Sequence, residues 1–159
     1  MLALNIALML ATFLFMEFVA WFTHKYVMHG LLWVLHRDHH QKDHDSFWER
    51  NDAFFLIFAI PGMTLIYFGI SNGDMDPRLW IGIGITLYGA AYVFVHDLFI
   101  HQRVKVLTRT NNVYFAALRR AHKVHHKHLG KEDGECFGML LPPRKYFIEA
   151  KASKEKYAK

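Results

Sequence analysis

The sequence predicts an all-α fold, a multi-span membrane helical bundle that occupies 1–159 as one integral-membrane domain. Three observations carry that prediction. Three long apolar runs lack charge, twelve histidines gather at the ends of those runs, and most Lys and Arg follow the last of them. At 159 residues the chain has the length of one domain. A 53% hydrophobic content excludes disorder. A single cysteine, Cys136, excludes a disulfide scaffold, a thiolate iron–sulfur cluster and a Cys-rich zinc site. Any metal is therefore held by nitrogen or oxygen.

The first run is uncharged from Met1 to Met16 and resumes after Glu17 through Phe22, giving a span over about 1–22. It has no basic leader and no small-residue cleavage site, so it reads as a retained span, in a prokaryotic or already processed chain. The second run covers 53–73, and the third is uncharged from Leu79 to Val95, within a span of about 79–100. Runs of roughly 17–21 residues at about 1.5 Å each approach the ~30 Å hydrocarbon layer. A helix of a soluble protein normally keeps a polar stripe, and none is visible from Ala53 to Gly73.

Basic residues set the orientation. Lys25, Arg37, Lys42 and Arg50 fall in the first connection, Arg78 alone in the Ser71–Arg78 turn, and the other fourteen after His101. The first connection and the tail, 127–159, are expected in the cytoplasm and the short turn outside. Trp21 and Trp80 stand where interfacial aromatics are expected. The net charge of +5 thus reads as a membrane-surface feature, and no nucleic-acid motif accompanies it.

The histidines repeat a pattern. HKYVMH and HRDHH supply His24, His29, His36, His39 and His40; HDLFIH and HKVHH supply His96, His101, His122, His125 and His126. HxxxxH followed by HxxHH is thus written twice. With twelve His in 159 residues, one HxxHH is expected about 0.07 times and two a few times per thousand chains. On a helix i, i+3 and i+4 lie within about 100° of arc, so each HxxHH triad is expected to point to one locus. HxxxxH spans about 140° on an ideal helix. One member must sit across a π-bulge or past a helix end, and Gly30 after His29 is a natural terminator. Two apolar runs separate the sets, so both return to one membrane face and can share a site.

Unliganded imidazoles would need ten ordinary hydrogen-bonded settings near the interface, and a transporter places ligands at midplane, whereas these lie at or beyond the span ends. An interfacial enzyme with two transition ions and roughly five imidazoles each is the reading. Imidazole does not choose among Fe, Zn, Cu and Ni. Chemistry on unactivated C–H bonds of a lipid calls for O2 and iron.

These boxes, within HKYVMHGLLWVLHRDHH and AHKVHHKHLGKEDGECFGMLLPPRKYF, closely resemble the bacterial-type β-carotene hydroxylases, short members of the fatty acid hydroxylase superfamily of membrane non-haem di-iron oxygenases. The resemblance runs from about Phe18 to Phe147. It implies that the ten box histidines bind two iron ions. It implies O2-dependent hydroxylation at C3 of the β-ionone rings, taking β-carotene to β-cryptoxanthin and zeaxanthin, with electrons from external reduced ferredoxin and its reductase. A hydroxylase or desaturase of an acyl chain or sterol is the alternative on the same platform, with a dizinc hydrolase or metal transporter behind it.

Other residues carry smaller expectations. His44 and His128 lie outside the boxes and are placed beside the ligands or at the surface. Asp97 is expected to accept the outer N–H of a ligand histidine, and Asp38 to face solvent. Glu17 shares a helical face with His24 but lies about 10 Å away along the axis, so it pairs with a basic group on another helix or marks a pocket. Phe15, Trp21, Phe94 and Phe99 are candidate pocket walls.

Overall fold

A computed structural model describes residues 1–42, 44–105 and 107–157. The last two residues of the expected tail lie outside the described residues. α1 (Leu2–Phe22) runs into a π-helical segment, Thr23–Leu31, followed by α2 (Trp33–His40). A 3-10 turn at Arg50–Asp52 starts α3 (Ala53–Asn72), and a tight turn leads to α4 (Pro77–Val93). α4 continues as a second π-helical segment, Phe94–Ile100. α5 (Val113–His125) and α6 (Arg144–Tyr157) complete the chain. No strand occurs among the described residues.

Three stretches are long and apolar enough to cross a bilayer, Leu2–Leu31, Arg50–Asn72 and Pro77–Ile100. Only 11%, 17% and 28% of their most apolar windows are covered by protein, so the rest needs a lipid solvent. Two helix starts, those of α4 and α5, carry side-chain caps. Asp76 accepts a hydrogen bond from the Arg78 amide at 2.9 Å, with Pro77 at the first helical position. Asn112 does the same for α5, accepting from the amides of Tyr114 and Phe115.

α4 is the central span because small residues let both neighbours approach. A Cβ at Gly82 would lie 2.7 Å from the Gly62 carbonyl oxygen of α3, and one at Gly84 would lie 2.7 Å from the Met9 carbonyl oxygen of α1. Residues 82 and 84 lie on opposite faces of the helix, one for each neighbour. At the far end, Asn5 donates to the Met75 carbonyl at 3.0 Å and ties α1 to the α3–α4 turn.

Beyond the spans, α5 and α6 pack through Ala117, Ala121, Tyr146 and Ala150. Arg119 holds α5 against the second π-helical segment, donating to the Phe99 carbonyl at 2.7 Å with its guanidinium 4.0 Å from the Phe99 ring centre. The expected basic tail is thus partly an ordered element of the fold. Residues 131–141 return as a strap across the end of α1, where the Tyr114 hydroxyl donates to the Leu140 carbonyl.

The tight crossing makes a direct prediction. Gly84→Leu forces backbone apart where no flexible atom can yield, at a cost of about 1–3 kcal/mol or more. Thermal unfolding in detergent is expected to drop by several degrees, and an unchanged midpoint would contradict this packing.

Candidate metal centre

The HxxxxH spacing is solved by the backbone. In both π-helical segments the amide bonds the carbonyl five residues back, Leu32 to Val27 at 2.8 Å and His101 to His96 at 2.9 Å. A five-residue repeat returns i+5 to the face of i, which an α-helix cannot do. The rings of His24 and His29 come to 5.2 Å between centres, and those of His96 and His101 to 4.5 Å. The first segment breaks at Gly30, whose backbone is non-helical, just past His29.

The box histidines form two buried clusters. His24, His29, His36, His40 and His125 bring one ring nitrogen each to within 4.8 Å of one another; His39, His96, His101 and His122 do the same. His126 borders three members of the second cluster, with ring centres 4.7 Å from His39, 4.8 Å from His101 and 4.5 Å from His122. Its buried Nε2 has no hydrogen-bond partner.

One expectation is corrected here: neither HxxHH triad converges on a single locus. His36 and His40 enter the first cluster while His39 crosses to the second, and the second box reciprocates with His122 and His126 against His125. Helical angles explain the division. Positions i and i+4 are about 40° apart, whereas i+3 lies about 60° to the other side of i. Ring centres agree, at 4.8 Å for His36–His40 against 5.4 Å for His36–His39, and 4.5 Å for His122–His126 against 5.7 Å for His122–His125. The exchange interlocks the clusters side by side.

The outer nitrogens fix the protonation state. His24 Nδ1 donates to the Phe137 carbonyl at 2.9 Å, His29 Nδ1 to Lys131 at 3.1 Å, His40 Nδ1 to His128 at 3.0 Å and His125 Nδ1 to Glu135 at 2.8 Å. His36 Nδ1 donates to Asn51 Oδ1 at 2.7 Å and His39 Nδ1 to Glu49 Oε2 at 2.8 Å. With the proton on Nδ1, each Nε2 is a lone pair. Those lone pairs nonetheless face one another: His24 and His36 at 3.1 Å, His36 and His40 at 3.2 Å, His29 and His125 at 3.3 Å, His39 and His96 at 3.0 Å. No proton is left to share across these gaps. Ligands at right angles around an ion with metal–nitrogen bonds of about 2.1 Å would lie about 3.0 Å apart. The donor set therefore fits a cation at the centre of each cluster, and an all-imidazole set suits iron, zinc, copper or nickel.

Electrostatics keep the ligands neutral. Burial first, then neighbouring imidazoles, lower His39, His101, His122 and His126 below the usual histidine range. Burial likewise pushes His40 down to about 4 and His125 to about 3. A neutral imidazole is the form that ligates.

The remaining expectations divide. Asp97 Oδ1 lies 3.3 Å from His96 Nδ1, as expected. Asp38 does not face solvent: it is buried, accepts from the Arg50 amide at 2.7 Å and lies 3.5 Å from His44 Nε2. The turn at Arg50–Asp52 folds back onto α2 and covers it. His128 contributes its backbone carbonyl to His40. Asn51, Glu49 and the carbonyls of 128–137 escaped sequence reading, because nothing local marks an acceptor contributed from up to 113 residues away. Cys136, in the left-handed region at φ 63°, reverses the backbone between Glu135 and Phe137, whose carbonyls anchor two different histidines.

Glu17 marks a pocket and, among the described residues, meets no basic side chain. Its carboxylate accepts the amides of Met139, Leu140 and Leu141, each at 3.0 Å, and the Tyr88 hydroxyl at 2.6 Å. A Cβ at position 138 would lie 2.9 Å from Glu17 Oε1, so Gly138 permits this approach. The latch pins the strap to α1 and forms one wall of a cavity of about 440 Å³, a volume in the range of ligand sites. Its lining runs from buried His122 past Phe137 and Trp21 to Leu14, Phe18 and Leu141, which are exposed on the span surface. Of the other aromatic candidates, Phe15 and Phe94 point outward and Phe99 is buried against Phe115.

A fatty acid hydroxylase family model matches residues 9–144, and the chain belongs to that family of membrane hydroxylases. It is 40% identical over 139 residues to a beta-carotene hydroxylase of Pantoea ananas, covering 87% of this chain and 78% of that one. It is 34% identical over 146 residues to a beta-carotene hydroxylase of Pseudescherichia vulneris, covering 92% and 81%. Against a chloroplastic beta-carotene 3-hydroxylase of Arabidopsis thaliana the identity is 36% over 146 residues, 91% of this chain but 46% of the plant protein. No solved structure matches the chain significantly.

Glu17 supplies the prediction for this site. Glu17→Ala orphans the strap amides and the Tyr88 hydroxyl, a loss on the order of 3 kcal/mol. Lower thermal stability and weaker retention of metal through gel filtration are expected, with Glu17→Gln intermediate. An alanine variant matching the parent in both would refute the latch.

Proposed function

We propose that this chain is a β-carotene 3-hydroxylase that converts β-carotene through β-cryptoxanthin to zeaxanthin. The observation that carries this reading is the cavity joining the lipid-facing surface at Leu14 and Phe18 to His122 of the second cluster. The relatives' names supply the substrate class. The ten box histidines would hold two iron ions, five imidazoles to each, with His126 as the fifth of the second set. When bound, a redox-active iron pair supplies the activation of O2 that an unactivated C–H bond requires. Overall, the C–H bond, O2, two electrons and two protons give a C–OH group and water, with electrons from external reduced ferredoxin.

The chain's own contribution is positional. The Nδ1 anchors of His24, His29, His36, His39, His40, His96 and His125 fix the tautomer and direction of those rings, so these ligands need little rearrangement to bind. Phe18, Trp21, Phe137 and Met139 form an apolar wall that takes one end of a long polyene and excludes water. Glu17 turns its charge to the strap amides, so it does not need the substrate to satisfy it. The Lys and Arg distribution supports placing the metal centre and the C-terminus on the cytoplasmic side, where a soluble electron donor reaches them.

Expression in a β-carotene-accumulating host with a working ferredoxin system is expected to yield zeaxanthin with β-cryptoxanthin as intermediate. Unchanged β-carotene despite good membrane expression would refute the substrate. Hydroxylated fatty acids or sterols in its place would move the assignment within the family.

A further inference from the structure

The two clusters differ in what stands behind their ligands. In the first, all five Nδ1 groups donate to neutral acceptors: four backbone carbonyls and the Asn51 amide oxygen. In the second, two ligands face carboxylates, His39 to Glu49 at 2.8 Å and His96 to Asp97 at 3.3 Å. The rings backed by these carboxylates bring their Nε2 atoms to 3.0 Å.

One side chain joins that carboxylate pair. Arg103 places Nη2 3.0 Å from Glu49 and 2.7 Å from Asp52, and Nε 3.1 Å from Asp97. The Arg103 amide also donates to the Asp97 carbonyl at 3.0 Å, after a left-handed turn at Gln102 with φ 54°. A single guanidinium thus clamps residues from both histidine sets. It holds Glu49 and Asp97 in place while three carboxylates surround one positive charge.

We propose that the two metal positions are electronically inequivalent, with the second cluster, His39, His96, His101, His122 and His126, binding its ion more tightly and favouring its oxidised form. This rests on the two-iron reading above. A carboxylate accepting the outer N–H raises the basicity of the ligating imidazole, where a neutral carbonyl does so less. Two anionic groups behind the ligands also stabilise added positive charge on an ion in a low-dielectric site. Glu49 and Asp97 are positioning residues that act through His39 and His96, and Arg103 positions both.

The full chain, purified in detergent and loaded with ⁵⁷Fe(II), tests this by Mössbauer spectroscopy and metal analysis. The parent is expected to hold two irons per chain as two resolved quadrupole doublets of equal area. Glu49→Gln combined with Asp97→Asn is expected to shift one doublet and leave the other, and to weaken one of two Co(II)-binding steps of the metal-free chain by 10- to 100-fold. Asn51→Ser, behind His36, is expected to shift the opposite doublet. This variant keeps the proposal testable if the carboxylate variant fails to fold. A single unresolved doublet in the parent, or both doublets moving together in either variant, overturns the inequivalence while leaving the two-iron reading intact. A parent that holds fewer than two metal ions overturns both.

Discussion

Nδ1 protons donated outward to fixed acceptors, leaving Nε2 lone pairs pointed at one another, are the constraint on which the rest of this structure depends. Lone pairs at 3.0–3.3 Å repel unless a cation lies between them. A bound ion would complete this arrangement, which the outer acceptors hold in place. Burial prevents the alternative remedy, protonation of the rings, by making the charged imidazole costly. Metal binding and local folding are in this sense one free-energy term.

The membrane architecture exists to bring those acceptors and ligands together. Two spans lie between the histidine sets, so both return to one face, and the glycines of α4 let three helices approach closely enough to align their ends. The first and third spans then change from α to π geometry where their ligand pairs begin. The strap of residues 131–141, latched to Glu17, supplies backbone carbonyls from the far end of the chain. It also walls the cavity between lipid and His122. One segment thus serves both metal geometry and substrate access, which couples the pocket's shape to the ligands' orientation.

Much of this was legible in the sequence because it is periodic or compositional. Spans show as uncharged runs, the boxes as a repeated spacing, and the π-helical turns as the one remedy for i, i+5 on a helix. The common face follows from parity. What escaped was long-range or angular. The division of HxxHH depends on i+3 and i+4 lying about 100° apart on opposite sides of i, which a convergence argument at the scale of a whole face ignores. Asp38 reads as a solvent residue between polar neighbours until the 3-10 turn closes over it. Glu17 meets no basic side chain among the described residues; its partners are the Tyr88 hydroxyl and backbone amides, which every sequence contains and none advertises.

X-ray absorption at the iron edge on the loaded, detergent-solubilised chain tests the central claim most directly. The account predicts about two irons per chain, each with a nitrogen and oxygen first shell near 2.1 Å and strong outer-shell scattering from about five imidazoles. One iron per chain, or a shell with little imidazole scattering, would contradict it.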